Sequence, residues 1–104
     1  MTAVSQARVP TKHASRYLQQ VCKHRAHNLA VEFTPESGTV TFPADARGAS
    51  WQGEARVEFT AEADTLVCRI VASEPGQLEG LKGAVARHVD RFAFREAPLA
   101  FDWG

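Results

Sequence analysis

Hydrophobic positions along this chain repeat with two different periods, and the places where the period changes mark its elements. Gln6 to Pro10 reads as a short edge strand ended by its proline. Thr11 then offers an N-cap oxygen, and up to about His27 the spacing is helical. At 100° per residue Ala14, Tyr17, Leu18, Val21, Cys22 and Leu29 fall on one side, and Asn28 suits the left-handed cap position. Arg25 falls on that apolar side too, an unexpected place for a guanidinium.

Alternation returns at Val31 and Phe33; Pro35-Glu36-Ser37-Gly38 turns the chain, and Val40 and Phe42 alternate again, which predicts a β-hairpin. A loop rich in Pro, Gly and Ala runs from Pro43 to about Gln52. Ala55, Val57 and Phe59 then share one face of a third strand, and Leu66, Cys68 and Ile70 one face of a fourth, joined through the tight connection Ala61-Glu62-Ala63-Asp64. Ser73 can cap a second helix with Pro75 in its first turn, where Leu78, Leu81, Val85, Val89 and Phe92 repeat at helical spacing. Gly80 and Gly83 each cost that helix about 1 kcal/mol relative to alanine, which predicts close packing against another element. Pro98 starts a final strand in which Leu99, Phe101 and Trp103 point one way.

An antiparallel sheet with alternating faces needs one face covered, and two amphipathic helices suffice. The expected fold is therefore α+β: a single antiparallel sheet of five to six strands with two helices packed on one face, in the order β-α-β-β-β-β-α-β. With 104 residues the chain suits one domain, residues 1–104, large enough to fold around one core without disulfides or metal. Hydrophobic residues at 44% and charged residues at 23% leave no room for a long disordered tail.

Formal net charge is zero, so nothing draws the chain toward a phosphate backbone or an anionic membrane, and nucleic acid is not an expected partner. No segment has the length and apolarity of a signal peptide or a membrane span, so a cytoplasmic location is expected. Cys22 and Cys68 sit in apolar surroundings without metal-ligand spacing and read as buried thiols in a reducing compartment. Enzyme signatures such as Gly-x-Ser-x-Gly, a phosphate-cradling glycine loop, a dinucleotide fingerprint or His-Glu-x-x-His are absent from the sequence.

The candidate chemistry lies in the histidines and arginines. His13, Gln20, His24 and His27 share a flank of the first helix, while Cys22 points some 200° away from His24, so those two form no dyad. His24 and His27 are one turn apart, a workable distance for two imidazoles to share a transition metal. His13 lies eleven residues from His24, about 16 Å along the helix, too far to join them. A third ligand would be His88, provided that the two helices run side by side in the same direction. Against the metal set His24, His27 and His88 stand plainer roles: His27 complementing the helix dipole, His24 at a half-exposed boundary, and His88 satisfied in the core. Arg87, Arg91 and Arg95 recur at fourfold spacing and either grip a carboxylate or phosphate or form a solvated face with Asp90 and Glu96. Trp51 either stacks on a ligand or anchors its loop. The candidate ligand-binding residues are thus His24, His27, Arg91, Arg95 and Trp51.

Two stretches carry a resemblance. Ala14-Ser15-Arg16-Tyr17-Leu18-Gln19-Gln20-Val21-Cys22-Lys23-His24, followed by Ala26-His27, and His88-Val89-Asp90-Arg91-Phe92-Ala93-Phe94-Arg95-Glu96 resemble the signature segments of a bacterial family known as domain of unknown function 2218, over about Ala7 to Trp103. Relatives tend to carry an aromatic residue where this chain has Arg25. The resemblance implies a domain found beside or fused to siderophore-interacting flavin reductases, hence a link with iron and siderophore utilisation and a flavoprotein partner. The function expected is a non-enzymatic binding or accessory module for a small molecule; the alternatives are a small metal- or histidine-dependent enzyme using His24 or His27 as general base, and a purely structural homodimer unit.

Overall fold

The computed structural model describes residues 3–27, 29–46, 49–96 and 99–104. Alternating apolar positions become the strands β1 (Ala3–Pro10), β2 (Ala30–Phe33), β3 (Ser37–Phe42), β6 (Ala55–Ala61) and β7 (Thr65–Ala72), which form one open antiparallel sheet in the order β1-β7-β6-β3-β2. Within the loop before β6, a two-stranded ribbon of β4 (Asp45–Ala46) and β5 (Ala49–Ser50) forms where no regular structure was expected. The helical segments become α1 (Ala14–Arg25) and α2 (Pro75–Phe92).

Register puts the apolar positions in rows across the sheet. Ala7, Cys68, Phe59, Gly38 and Phe33 make one row, and Ser5, Ile70, Val57, Val40 and Val31 the next. Leu18, Val21 and Cys22 of α1 and Leu78, Leu81, Val85 and Val89 of α2 cover these rows, and Leu18, Leu66, Ile70, Val57 and Val89 are sealed from solvent. Gly38 is what lets α1 settle on β3: a Cβ there would stand 2.7 Å from Cys22 Sγ and 2.9 Å from Phe33 Cβ.

Each helix follows a strand, and β1 and β7 are antiparallel, so α1 and α2 pass each other in opposite directions. The same-direction arrangement on which the third metal ligand depended is therefore absent.

Several local expectations are corrected. Thr11 does not cap α1; its hydroxyl accepts from the His13 N–H at 3.1 Å and so shapes the turn before the helix. The helix ends at Arg25, two residues short of His27; Asn28 lies outside the described residues. Glu74 rather than Ser73 occupies the cap position of α2, while Ser73 Oγ stands 2.6 Å from Gln77 Oε1 and 3.1 Å from the Gly53 carbonyl. Gln77 Nε2 donates to the same carbonyl, which explains a glutamine buried in the first turn. Gly80 has nothing near its missing Cβ and Gly83 only the end of the Arg87 side chain, so close packing does not account for either.

Pro98 lies outside the described residues, but the segment expected after it reaches the outer edge of β1 at Gly104. Gln6 and Gly104 exchange both backbone hydrogen bonds, at 3.2 and 2.9 Å, and Leu99, Phe101 and Trp103 turn inward against the core. Among the described residues, no helix is long and apolar enough to cross a membrane.

Candidate functional site

The chemistry gathers where α1 crosses the C-terminal part of α2. Phe92 ends α2, and the three residues Phe94, Arg95 and Glu96 form a turn that folds back over α1. Glu96 fixes that turn. Its carboxylate accepts hydrogen bonds from the Tyr17 hydroxyl and from Thr11 Oγ1, the latter at 3.0 and 3.2 Å from its two oxygens, and its own N–H donates to the Ala93 carbonyl at 2.8 Å. Burial, followed by the Glu96 carboxylate, pushes the Tyr17 phenol above its ordinary range. The Tyr17 hydrogen bond, with help from Thr11 and the nearby His13, holds Glu96 below the ordinary carboxylate range.

Beside this clamp lies a cleft of about 230 Å³ lined by Arg16, Tyr17 and Gln20 of α1 and by Phe92, Phe94 and Arg95. Phe94 is 72% exposed, and the Arg95 Cζ stands 5.8 Å from its ring centroid, a cation–π distance. Neither Arg16 nor Arg95 forms an ion pair among the described residues. Two guanidiniums lining one cleft can hold an anion bidentately, each offering a planar fork of donors.

The predicted site residues divide. Arg95 lines the cleft, although it sits on the turn rather than on a helical ridge with Arg87 and Arg91, because α2 stops at Phe92. Arg91 is exposed on α2, outside the cleft lining. His24 touches the cleft from behind, its ring edge-on to Phe92 at 5.8 Å. His27 is exposed beyond the end of α1. Trp51 lies at the other end of α2, where its ring would meet a Cβ at Gly76 within 3.1 Å. The 18 residues of α2 span about 27 Å, so Trp51 shares no site with Arg95.

His88 does come near His24, with ring centroids 6.4 Å apart, even though the helices are antiparallel: α2 outreaches α1, and its last two turns lie opposite the end of α1. Its nitrogens face other groups, however. Nδ1 is 2.6 Å from the Ala84 carbonyl, and the Arg25 guanidinium bonds the ring from the other helix. Among the described residues no three His, Cys, Asp or Glu side chains are grouped to hold a metal ion, so His24, His27 and His88 are not a ligand set in this arrangement. Arg25 and His88 instead line a void of about 10 Å³ walled by Val21, Val40, Val57, Phe59 and Val85, room for one water at most. Both thiols are buried, and desolvation pushes Cys22 up to about 11 and Cys68 up to about 12, far from nucleophilic use.

Residues 6–104 match the family described as "Uncharacterized protein conserved in bacteria (DUF2218)". The chain belongs to this family. The NMR structure of PA4090 from Pseudomonas aeruginosa is similar at 29% identity, with a TM-score of 0.74, covering 97% of this chain and 94% of that one. No match was found among curated proteins.

For this DUF2218 chain, sequence reasoning missed Arg16, Tyr17, Gln20, Phe94 and Glu96 as one cluster. One signal was present: Phe94 falls off the stripe that ends at Phe92, so a large ring next to Arg95 had no core position to fill. Tyr17 gave no such signal, since its ring belongs to the core stripe and only its hydroxyl reaches Glu96.

Proposed function

We propose that the domain is a non-enzymatic binding module whose site is the cleft beside the Tyr17–Glu96 clamp, where Arg16 and Arg95 receive a small anionic ligand. The observation that carries this reading is the convergence of two guanidiniums on one cleft with no ion-pair partner among the described residues. Charge without an internal partner favours an external anion, and the clamp holds Arg95 in place before one arrives, which lowers the ordering cost of binding. A catalytic reading asks for a base turned into a pocket, whereas His24 and His27 are exposed and both thiols are strongly protonated. An anionic iron chelator is one ligand of the class favoured here, and through it the link with siderophore utilisation joins the reading.

The test is a ¹H–¹⁵N NMR titration with sodium acetate and sodium phosphate. Shifts are expected at Tyr17, Gln20, Phe94 and Arg95, and Arg16→Gln and Arg95→Gln are each expected to weaken them about tenfold or more. Shifts that spread over the surface, or that survive both substitutions, would overturn the proposal.

A further inference from the structure

The cleft carries more information than its charge. Half of its lining is aromatic, from Tyr17, Phe92 and Phe94, and Phe94 is exposed to an extent that a core role does not explain. A bare inorganic anion would satisfy the guanidiniums and leave the Phe94 ring in water. A ligand that also carries a flat apolar body would cover that ring while its charge meets Arg95, whose Cζ is only 5.8 Å from the ring centroid. The size limits the body: 230 Å³ falls below the roughly 300 Å³ at which drug-sized pockets begin, so it admits one ring. Charge limits the head group. Arg16 and Arg95 set against the nearby Glu96, which His13 also faces, leave one net positive charge, a match for a monoanion rather than a phosphate dianion.

We infer that the cleft takes an aromatic monocarboxylate of single-ring size, its carboxylate held by Arg16 and Arg95 and its ring laid on Phe94; this rests on the binding reading above.

Sodium benzoate, sodium acetate and sodium phosphate, titrated separately into the wild-type chain and into Phe94→Ala, Phe94→Leu and Arg95→Gln, separate the two readings. Benzoate is expected to bind about tenfold tighter than acetate. Phe94→Ala is expected to lose that factor, so that benzoate binds this variant no tighter than acetate does, Phe94→Leu to lose part of it, and Arg95→Gln to weaken both carboxylates. Phe94 is exposed, so its variants are expected to keep the dispersed amide spectrum of the folded chain. Benzoate no tighter than acetate would overturn this inference and leave the anion site standing; no response to any of the three would overturn both. Sedimentation adds one further outcome: a wild-type dimer that Phe94→Ala alone converts to monomer would assign the ring to an interface between copies, and the inference would fall.

Discussion

The Arg25 guanidinium on the last turn of α1 meets the imidazole of His88, 63 residues later on α2, at Nε2. A guanidinium only donates and a carbonyl only accepts, so the ring between Arg25 and Ala84 is satisfied by one tautomer: Nδ1 donating to Ala84, Nε2 accepting from Arg25. The charged head thus finds a partner at the rim of the apolar layer while its stem lies among Val21, Val40 and Val85. This explains how a guanidinium can occupy the core-facing side of α1.

Because that position borders a void with apolar walls, an aromatic ring there would fill space that the guanidinium leaves empty. Arg25→Phe is expected to be neutral or stabilising, and Arg25→Ala to destabilise by about 1–2 kcal/mol through lost stem packing and an unsatisfied ring nitrogen. Urea midpoints for the two variants decide it. If Arg25→Phe proved the more damaging of the two, the space beside Val21 and Val85 would not accept a ring, and the packing account of this position would fall.

The clamp on Glu96 gives stability a pH window. The folded-state pKa of Glu96 is lowered, so its contribution is present above the ordinary carboxylate range and is lost as pH falls through the depressed value. The folded-state pKa of Tyr17 is raised, so its contribution is complete below the ordinary phenol range and is lost as pH rises through the higher value. Tyr17→Phe is expected to cost about 1 kcal/mol at neutral pH, since solvent reaches Glu96 and replaces part of the bond, and to flatten both limbs. Melting temperatures from pH 3 to 11 check this; an unchanged acid limb in both Tyr17→Phe and Glu96→Gln would remove the clamp from the account.

Sequence periodicity recovered the sheet, both helices and the core faces because each apolar position there does one thing: it turns toward the opposite layer. Val57, Ile70 and Val89 could be read that way with no knowledge of their neighbours. The clefts and clamps depend on pairs far apart in sequence, as with Thr11 and Glu96 or Arg25 and His88, and no local spacing encodes such pairs. The arginine ridge failed for a related reason. Fourfold spacing runs on past Phe92 in the sequence, but the helix does not, and the turn that replaces it is held by Tyr17, on a different element.

Cys22 and Cys68 are expected to be unreactive while the chain is folded. With thiol pKa values pushed up to about 11 and about 12 and with no solvent exposure, each is almost wholly protonated at neutral pH and out of reach. A disulfide-exchange reagent at pH 7.5 is expected to label neither within an hour in native buffer and both at once in urea. Rapid native labelling of Cys22 alone would mean that α1 lifts from the sheet on that timescale.

The contact of α1 with β3 yields the sharpest stability test. Adding one methyl group at Gly38 would bring it within 2.7 Å of Cys22 Sγ, 2.9 Å of Phe33 Cβ and 3.4 Å of Leu18 Cδ2, so α1 must rise or the strand must bend. Gly38→Ala is expected to destabilise by about 1–3 kcal/mol, the usual cost of overpacking a filled core. Cys22→Ala alone leaves a small void and is expected to cost about 1 kcal/mol. Together the two are expected to cost clearly less than their sum, because removing Sγ relieves the tightest of the three contacts, although Phe33 Cβ still prevents full rescue. Denaturation of the four proteins in this cycle measures the coupling. Strict additivity would show that the sulfur does not press on Gly38, and that something other than the approach of α1 demands a glycine there.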